Sequence, residues 1–312
     1  MNKLKLFYCA LCLVIAVVAC HEDKEDNAPE VSKNVNANSY TAPSQSGKAI
    51  PREVVRLEFP KIKGGTSEVI VHATPEYGMT YAIEWDHEKR AQRWTCFEIY
   101  RENRVKNWKR ADWKKTKWGG DPFQADPKVP ANEQPPVQNE FSKSYYPNTG
   151  SYYQRGHICA SEDRVYSQNA NEQTFYMTNI MPQVGNLNER IWQKLENRVR
   201  SLAVNADTLY VCKGGTIDKD EHILGYTRSR FIVPRYFFMA LLAKDRKGYR
   251  AIGFWVEHLD EDHSDDALGL YAVSIKELQQ RTGIDFFCNL PDDVEDKVEN
   301  LSSESVKKAW GF

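Results

Sequence analysis

The sequence predicts an α+β fold with a central, largely antiparallel sheet flanked by helices. Short runs rich in β-branched and aromatic residues, such as SEVIVHAT and MTYAIEWD, are separated by turn residues. Two segments with helical periodicity interrupt these runs, and the order strands, helix, strands, helix favours an antiparallel sheet. With 41% hydrophobic and 12% aromatic residues among 312, the chain is expected to bury a packed core.

The first 20 residues predict an export signal. Lys3 and Lys5 precede the apolar run LFYCALCLVIAVVA, which is shorter than a typical membrane-spanning helix. The final VVAC resembles a bacterial lipoprotein signal, in which Cys20 carries the lipid, and plain secretion is the alternative. We therefore expect an exported outer-membrane lipoprotein, periplasmic or on the cell surface, anchored to the membrane by its N-terminus.

Residues 21–65 are expected to form a flexible tether, because Asn, Ser, Pro, Lys and Glu dominate this part of the chain up to about Ile50. With a formal net charge of -1, the molecule as a whole does not attract nucleic acid electrostatically. Binding of nucleic acid would therefore need a local cluster of positive charge. Four cysteines lie beyond the signal, and disulfides among them or buried free thiols are both open. These are Cys96, Cys159, Cys212 and Cys288.

Strands are expected first, followed by a long irregular region from Asn107 to Gly150 in which Pro and Gly prevent regular elements. The next helix is NLNERIWQKLENRVRSLAV, with Asn186 as its N-cap and Glu189 completing a capping box. Its apolar positions fall on one stripe. They are Leu187, Ile191, Leu195, Val199 and Leu202.

Three strand-like runs follow this helix, namely DTLYVCKGG, RYFFMALLAKD and YRAIGFWVEH. The segment IKELQQRT predicts a second helix, capped by Ser274 with Glu277 and ended by Gly283. Residues 291–312 form an acidic, helix-compatible tail. The run VEHLDEDHSDD, which holds His258 and His263, is interpreted as a solvated loop.

The segments QRGHICAS and LNERIWQKLE contain the candidate chemistry. Because an imidazole ordinarily titrates near neutrality, His157 suits a general base. Arg155 would keep it neutral by charge repulsion and could bind two phosphate oxygens at once. Magnesium prefers oxygen ligands and keeps several waters, so the amide oxygen of Asn188 with substrate phosphate can suffice. Glu196, two turns further along the helix, is interpreted as orienting the waters of the metal.

The ordered blocks QRGHICAS, YMTNIMPQ and LNERIWQKLE resemble the DNA/RNA non-specific endonuclease family, which belongs to the ββα-metal (His-Me finger) nucleases. The resemblance continues through the later strands and the second helix, and places the nuclease domain at residues 66–290. It implies His157 as the general base and Asn188 as the ligand of Mg²⁺, with Mn²⁺ as the alternative ion. It further implies that Arg155, Asn179 and Glu196 assist, within a core of two strands and a helix.

Two positions depart from the family pattern. Gln154 stands where the family has Asp, and KKTKWGGDPF offers Lys115 or Lys117 where the family has a second arginine. The stretch from Arg101 to Lys117 is strongly basic and is interleaved with tryptophans, a composition typical of a nucleic-acid groove. The predicted nucleic-acid-binding residues are Arg110, Lys115, Lys117 and Trp118.

The sequence therefore predicts a metal-dependent endonuclease that cleaves DNA, RNA or both and leaves 5′-phosphates, as the family does. Two alternatives stay open. One is a non-catalytic surface lipoprotein that captures nucleic acid, and the other is a phosphodiesterase that acts on a smaller substrate.

Overall fold

The computed structural model describes residues 33–41, 48–138 and 140–312. The predicted signal segment, with Cys20, lies outside these residues, as do residues 21–32 of the predicted tether. Within the part of the chain that is described, no helix has both the length and the apolar character needed to cross a membrane.

A seven-stranded antiparallel sheet forms the centre of the fold, in the order β1-β2-β3-β6-β9-β10-β11. Its strands are β1 (Ser67–Thr74), β2 (Gly78–Asp86), β3 (Ala91–Tyr100), β6 (Thr208–Gly215), β9 (Tyr236–Asp245), β10 (Gly248–Glu257) and β11 (Ala272–Val273). The α+β prediction is confirmed, and every predicted strand run corresponds to one of these strands. Both faces of the sheet are covered, which explains why β2 is buried along most of its length rather than at alternate residues.

One face of the sheet packs against a second, two-stranded antiparallel sheet and the helix that follows it. The small sheet pairs β4 (Tyr153–His157) with β5 (Ile180–Val184), so that His157 lies opposite Ile180. Gly156 is required in β4, because a Cβ atom there would overlap the side chain of Gln183. Between these strands lies α1 (Gln168–Gln173), and a further hairpin pairs β7 (Ile223–Tyr226) with β8 (Ile232–Pro234).

The helix after β5 begins with a π-helical turn, Leu187–Trp192, and continues as α2 (Gln193–Val204). All five predicted stripe residues are buried. The predicted capping box is wrong: Asn186 has helical backbone angles, its side chain donates to Asp260 Oδ1 (3.1 Å), and it accepts no hydrogen bond from the first turn of the helix. The predicted ends of α3 (Ile275–Thr282) are confirmed, since the Ser274 side chain accepts from Glu277 N and Gly283 adopts a left-handed φ of 72°. Its predicted capping box is only half formed, because Ser274 N donates to Ser303 Oγ and not to the Glu277 side chain.

The two ends of the described chain pack on the domain. Residues 33–41 and 48–65 differ from the predicted tether: Val54 and Phe59 are fully buried, and Asn38 donates to the backbone oxygens of Val54 and Pro60. Asparagine side chains here bond backbone and carboxylate oxygens of the domain, which composition alone does not reveal. The predicted acidic tail forms α4 (Asp292–Glu299) and α5 (Ser303–Trp310), whose last residue donates from Nε1 to Ala251 O (3.1 Å).

Candidate active site

His157, at the end of β4, lies between two phenylalanine rings. Its ring centroid is 5.3 Å from that of Phe123 and 4.9 Å from that of Phe175. Nε2 is buried and has no hydrogen-bond partner among the described residues, although the residue as a whole is partly exposed. Burial, followed by the nearby charges of Arg110, Lys213 and Arg155, lowers the pKa of His157 well below its ordinary value. The imidazole is therefore neutral at pH 7, and the predicted contribution of Arg155 is present but is not the largest.

Asn179 lies beside the end of β4, as predicted, with its side chain fully engaged. Its Oδ1 accepts from Cys159 N (2.8 Å), and its Nδ2 donates to Cys159 O (2.9 Å) and Thr174 O (2.8 Å). The residue is completely buried. Asn179 therefore fixes the chain just after His157, and its amide has no N–H left for a substrate.

Asn188 lies in the π-helical turn and is oriented by β4. Its Nδ2 donates to Gln154 Oε1 (2.7 Å), and Gln154 Nε2 in turn donates to Glu189 Oε1 (2.7 Å). Gln154 precedes His157 by three residues, a rise of about 10 Å along a strand. The amide at position 154, where the family has an acid, thus directs the Nδ2 of Asn188 toward β4. The Oδ1 of Asn188 has no partner among the described residues.

Glu196 forms a buried ion pair with a residue that the sequence analysis missed. Lys213 on β6 is 1% exposed, and its Nζ donates to Glu196 Oε1 at 2.7 Å. The ammonium also lies over the ring of Trp192, 5.2 Å from its centroid. Burial raises the pKa of Glu196, and Lys213 opposes that change. The available signal was a lysine in the middle of the apolar run LYVCKGG, where a charge is costly unless it is paired.

Arg155 is paired with an acid in the long loop. Its Nη2 donates to both carboxylate oxygens of Asp121 (3.1 and 3.2 Å), and its guanidinium lies 3.7 Å from the ring centroid of Phe123. It therefore lies over the same ring that contacts His157.

The basic loop places its predicted residues differently. Arg110 begins the 3₁₀ helix Arg110–Lys115 and lies over the ring of Phe175, 5.3 Å from its centroid. The side chain of Lys115 is 80% exposed and pairs with Asp112, whereas Lys117 lies over the partly buried Trp118. Of these four predicted residues, only Arg110 contacts a ring that borders His157.

The donor groups at this site fit a hydrated divalent cation that needs few protein ligands better than an ion held by several protein ligands. Among the described residues, the one group of three clustered metal-binding acids or thiols lies elsewhere, at Asp285, Glu295 and Glu299. Two neutral amide oxygens of the unit formed by β4, β5 and the following helix have no partner among the described residues, namely Asn188 Oδ1 and Gln183 Oε1. A cation that keeps most of its waters and needs few protein oxygens suits such a set.

Comparison with known proteins identifies the family. The model of the DNA/RNA non-specific endonuclease family matches residues 67–293. A nuclease from Nostoc sp. is 26% identical over 231 residues, which cover 70% of this chain and 75% of that protein. Human mitochondrial endonuclease G is 29% identical over 153 residues, which cover 45% of this chain and 50% of the human protein.

The fold agrees with a solved structure of an EndoG/EndoGI complex. The TM-score is 0.59 at 22% sequence identity, and the match covers 78% of this chain and 94% of the solved chain. At this identity the similarity establishes the fold.

Proposed function

Because this chain belongs to the DNA/RNA non-specific endonuclease family and is a non-specific nuclease, we propose that it cleaves phosphodiester bonds in DNA and RNA with His157 as general base and Asn188 as metal ligand. The proposal rests on the presence of both groups in one structural unit, which is formed by β4, β5 and the helix that follows β5. There β4 ends in the neutral imidazole of His157, and the side chain of Gln154 on the same strand binds Asn188, whose Oδ1 has no partner among the described residues.

His157 accepts the proton of the attacking water. With Nε2 buried, Nδ1 is the ring nitrogen left to meet solvent, so the active tautomer has its hydrogen on Nε2. The low pKa keeps Nδ1 unprotonated at neutral pH, which a general base requires. Phe123 and Phe175 restrict the ring to one orientation and exclude bulk water from its buried edge.

The metal requirement of the family is assigned here to Asn188 Oδ1, with Mg²⁺ as the ion and Mn²⁺ as the alternative. A bound divalent ion supplies positive charge at the scissile phosphate and at the departing 3′ oxygen. Asn188 is held for this by its hydrogen bond to Gln154, and Glu196, anchored by Lys213, orients water in the same region. Arg155 binds a phosphate oxygen in exchange for Asp121, and the products carry 5′-phosphates.

The test is cleavage of plasmid DNA and of RNA by wild-type protein and the His157→Ala variant under metal titration. We expect the variant to lose cleavage while keeping its fold and its DNA binding in chelator, because alanine removes the proton acceptor alone. His263→Ala, a change at a histidine outside the site, is the control. Full activity of His157→Ala would refute the mechanism.

The same experiment separates the alternatives. Binding without cleavage by the wild type would indicate a nucleic-acid-capturing protein. Cleavage of a small phosphodiester that single-stranded DNA does not inhibit would indicate a different substrate.

The location at an outer membrane is a separate proposal, supported by the sequence from Lys3 to Cys20. We expect Cys20→Ser to abolish incorporation of labelled fatty acid and to release the protein from membranes. Unchanged membrane attachment of this variant would contradict a lipid anchor at Cys20.

A further inference from the structure

Two arginines from different parts of the chain each contact one of the two aromatic rings that border His157. Phe123 and Phe175 meet edge to face, with centroids 5.1 Å apart. Arg155 lies over the first ring and Arg110 over the second. The imidazole is thus bordered by two aromatic rings, each in contact with a guanidinium group.

The two guanidinium groups differ in how their charge is neutralised. Arg155 holds Asp121, whereas Arg110 makes no hydrogen bond and no ion pair within the part of the chain that is described. The acid nearest to Arg110 in the chain, Asp112, is bound to Lys115. Burial, followed by the charge of Arg155, lowers the pKa of Arg110, and the nearby carboxylate of Asp121 opposes this change without forming an ion pair with Arg110. This cation therefore lies in surroundings that favour binding of an anion.

The expected substitutes for the second family arginine do not occupy this place. Lys115 is highly exposed and paired with an acid, and Lys117 stacks on Trp118. An ammonium would also supply charge without the planar pair of N–H groups that matches two phosphate oxygens. Arg110 has the required guanidinium and borders the base through Phe175.

We infer that Arg110 is a catalytic residue that binds the scissile phosphate on the side of His157 that Phe175 borders, and that it acts together with Arg155. This inference rests on the proposed nuclease function and assigns to one residue the role that the basic loop as a whole was expected to share. The guanidinium offsets the charge that accumulates on the phosphate oxygens as water attacks.

The first experiment compares cleavage by Arg110→Ala, Arg110→Lys and Arg246→Ala. Arg246 lies in the exposed turn between β9 and β10 and serves as the matched arginine control. Loss of one donor to the transition state lowers kcat/KM by about 10²–10³-fold, and we expect this for Arg110→Ala, mainly in kcat. Arg110→Lys should recover little of the lost kcat/KM, because lysine lacks the planar pair of N–H groups. The kcat/KM of Arg246→Ala should stay within about threefold of the wild-type value.

The second experiment does not depend on cleavage. Binding of inorganic phosphate in chelator is followed through the side-chain ¹⁵N resonances of Arg110 and Arg246 in the full chain. We expect phosphate to shift the Arg110 signal at lower concentration than the Arg246 signal, and Arg110→Ala to weaken phosphate binding.

The two experiments together separate the inference from the proposed function. Normal kcat/KM for Arg110→Ala in an active wild-type background overturns the inference, as does phosphate binding that Arg110→Ala leaves unchanged. Absence of cleavage by the wild type refutes the proposed function, and the phosphate titration then decides whether Arg110 forms an anion site.

Discussion

Protonation of His258 should detach the two-stranded sheet that carries His157. His258 is 1% exposed, so the interpretation of the acidic run around it as a solvated loop is wrong for this residue. Its Nε2 accepts from Val184 N and its Nδ1 donates to Pro234 O, both at 2.9 Å, so the neutral ring joins β5 to β8. A proton on Nε2 would place two donors against each other and break the bond to β5.

The size of the effect follows from the pKa of this imidazole. Burial lowers the pKa of His258 from 6.5 to about 4, against smaller opposing contributions from Pro234 O and Asp260. A difference of about 2.5 between the two pKa values, at about 1.36 kcal/mol for each unit, corresponds to about 3 kcal/mol. Because the folded-state pKa is the lower one and the group is a base, this stability is present above pH 6.5 and is lost as the pH falls toward 4. By about pH 5 the loss is about 2 kcal/mol.

Urea unfolding at about pH 7.5 and pH 5 measures this loss. His258→Gln is the matched variant, since its side chain does not titrate and its amide oxygen can accept from Val184 N. Wild type should lose about 2 kcal/mol more than the variant between the two pH values. Equal losses would refute the reasoning. Should the variant not fold, an NMR titration of wild type that gives His258 a pKa above 6 would refute it equally.

Three further predictions concern the metal ligand, the buried ion pair and the thiols. Asn188→Ala should raise the Mg²⁺ concentration for half-maximal cleavage by at least about tenfold, because it removes the protein oxygen, and an unchanged metal titration would exclude this ligand. Lys213→Met should lower the free energy of unfolding by about 3 kcal/mol, since it leaves the largely buried Glu196 without its ion-pair partner. The double variant with Glu196→Gln should recover much of the loss in a urea titration. All four described cysteines are buried free thiols, and Cys96 and Cys212 lie directly opposite each other in β3 and β6. Refolding in an oxidising glutathione buffer should therefore join these two thiols, and peptide mapping that finds a bridge to another described cysteine would contradict this.

Local sequence patterns were sufficient for most of the fold. Alternating and aromatic-rich runs gave the strands of the main sheet, because a residue's preference for a pleated, half-buried surface acts within a few neighbours. The stripe of α2 and the ends of α3 were likewise local, since caps and helical periodicity involve residues three or four apart. The start of the helix that continues as α2 does not depend on local residues alone, because Asn186 is bound by Asp260, which is 74 residues away.

The sequence by itself determined the class of the protein, the strand that ends in His157 and the helix that begins near Asn188, since these depend on short ordered motifs. Only the tertiary structure decided which charges meet around that histidine. Lys213 pairs with Glu196, Arg155 pairs with Asp121, and Arg110 forms no ion pair within the described part of the chain. These outcomes depend on burial and on distances between residues far apart in the chain. Coulomb energies and desolvation vary steeply with both, and neither can be read from the order of residues.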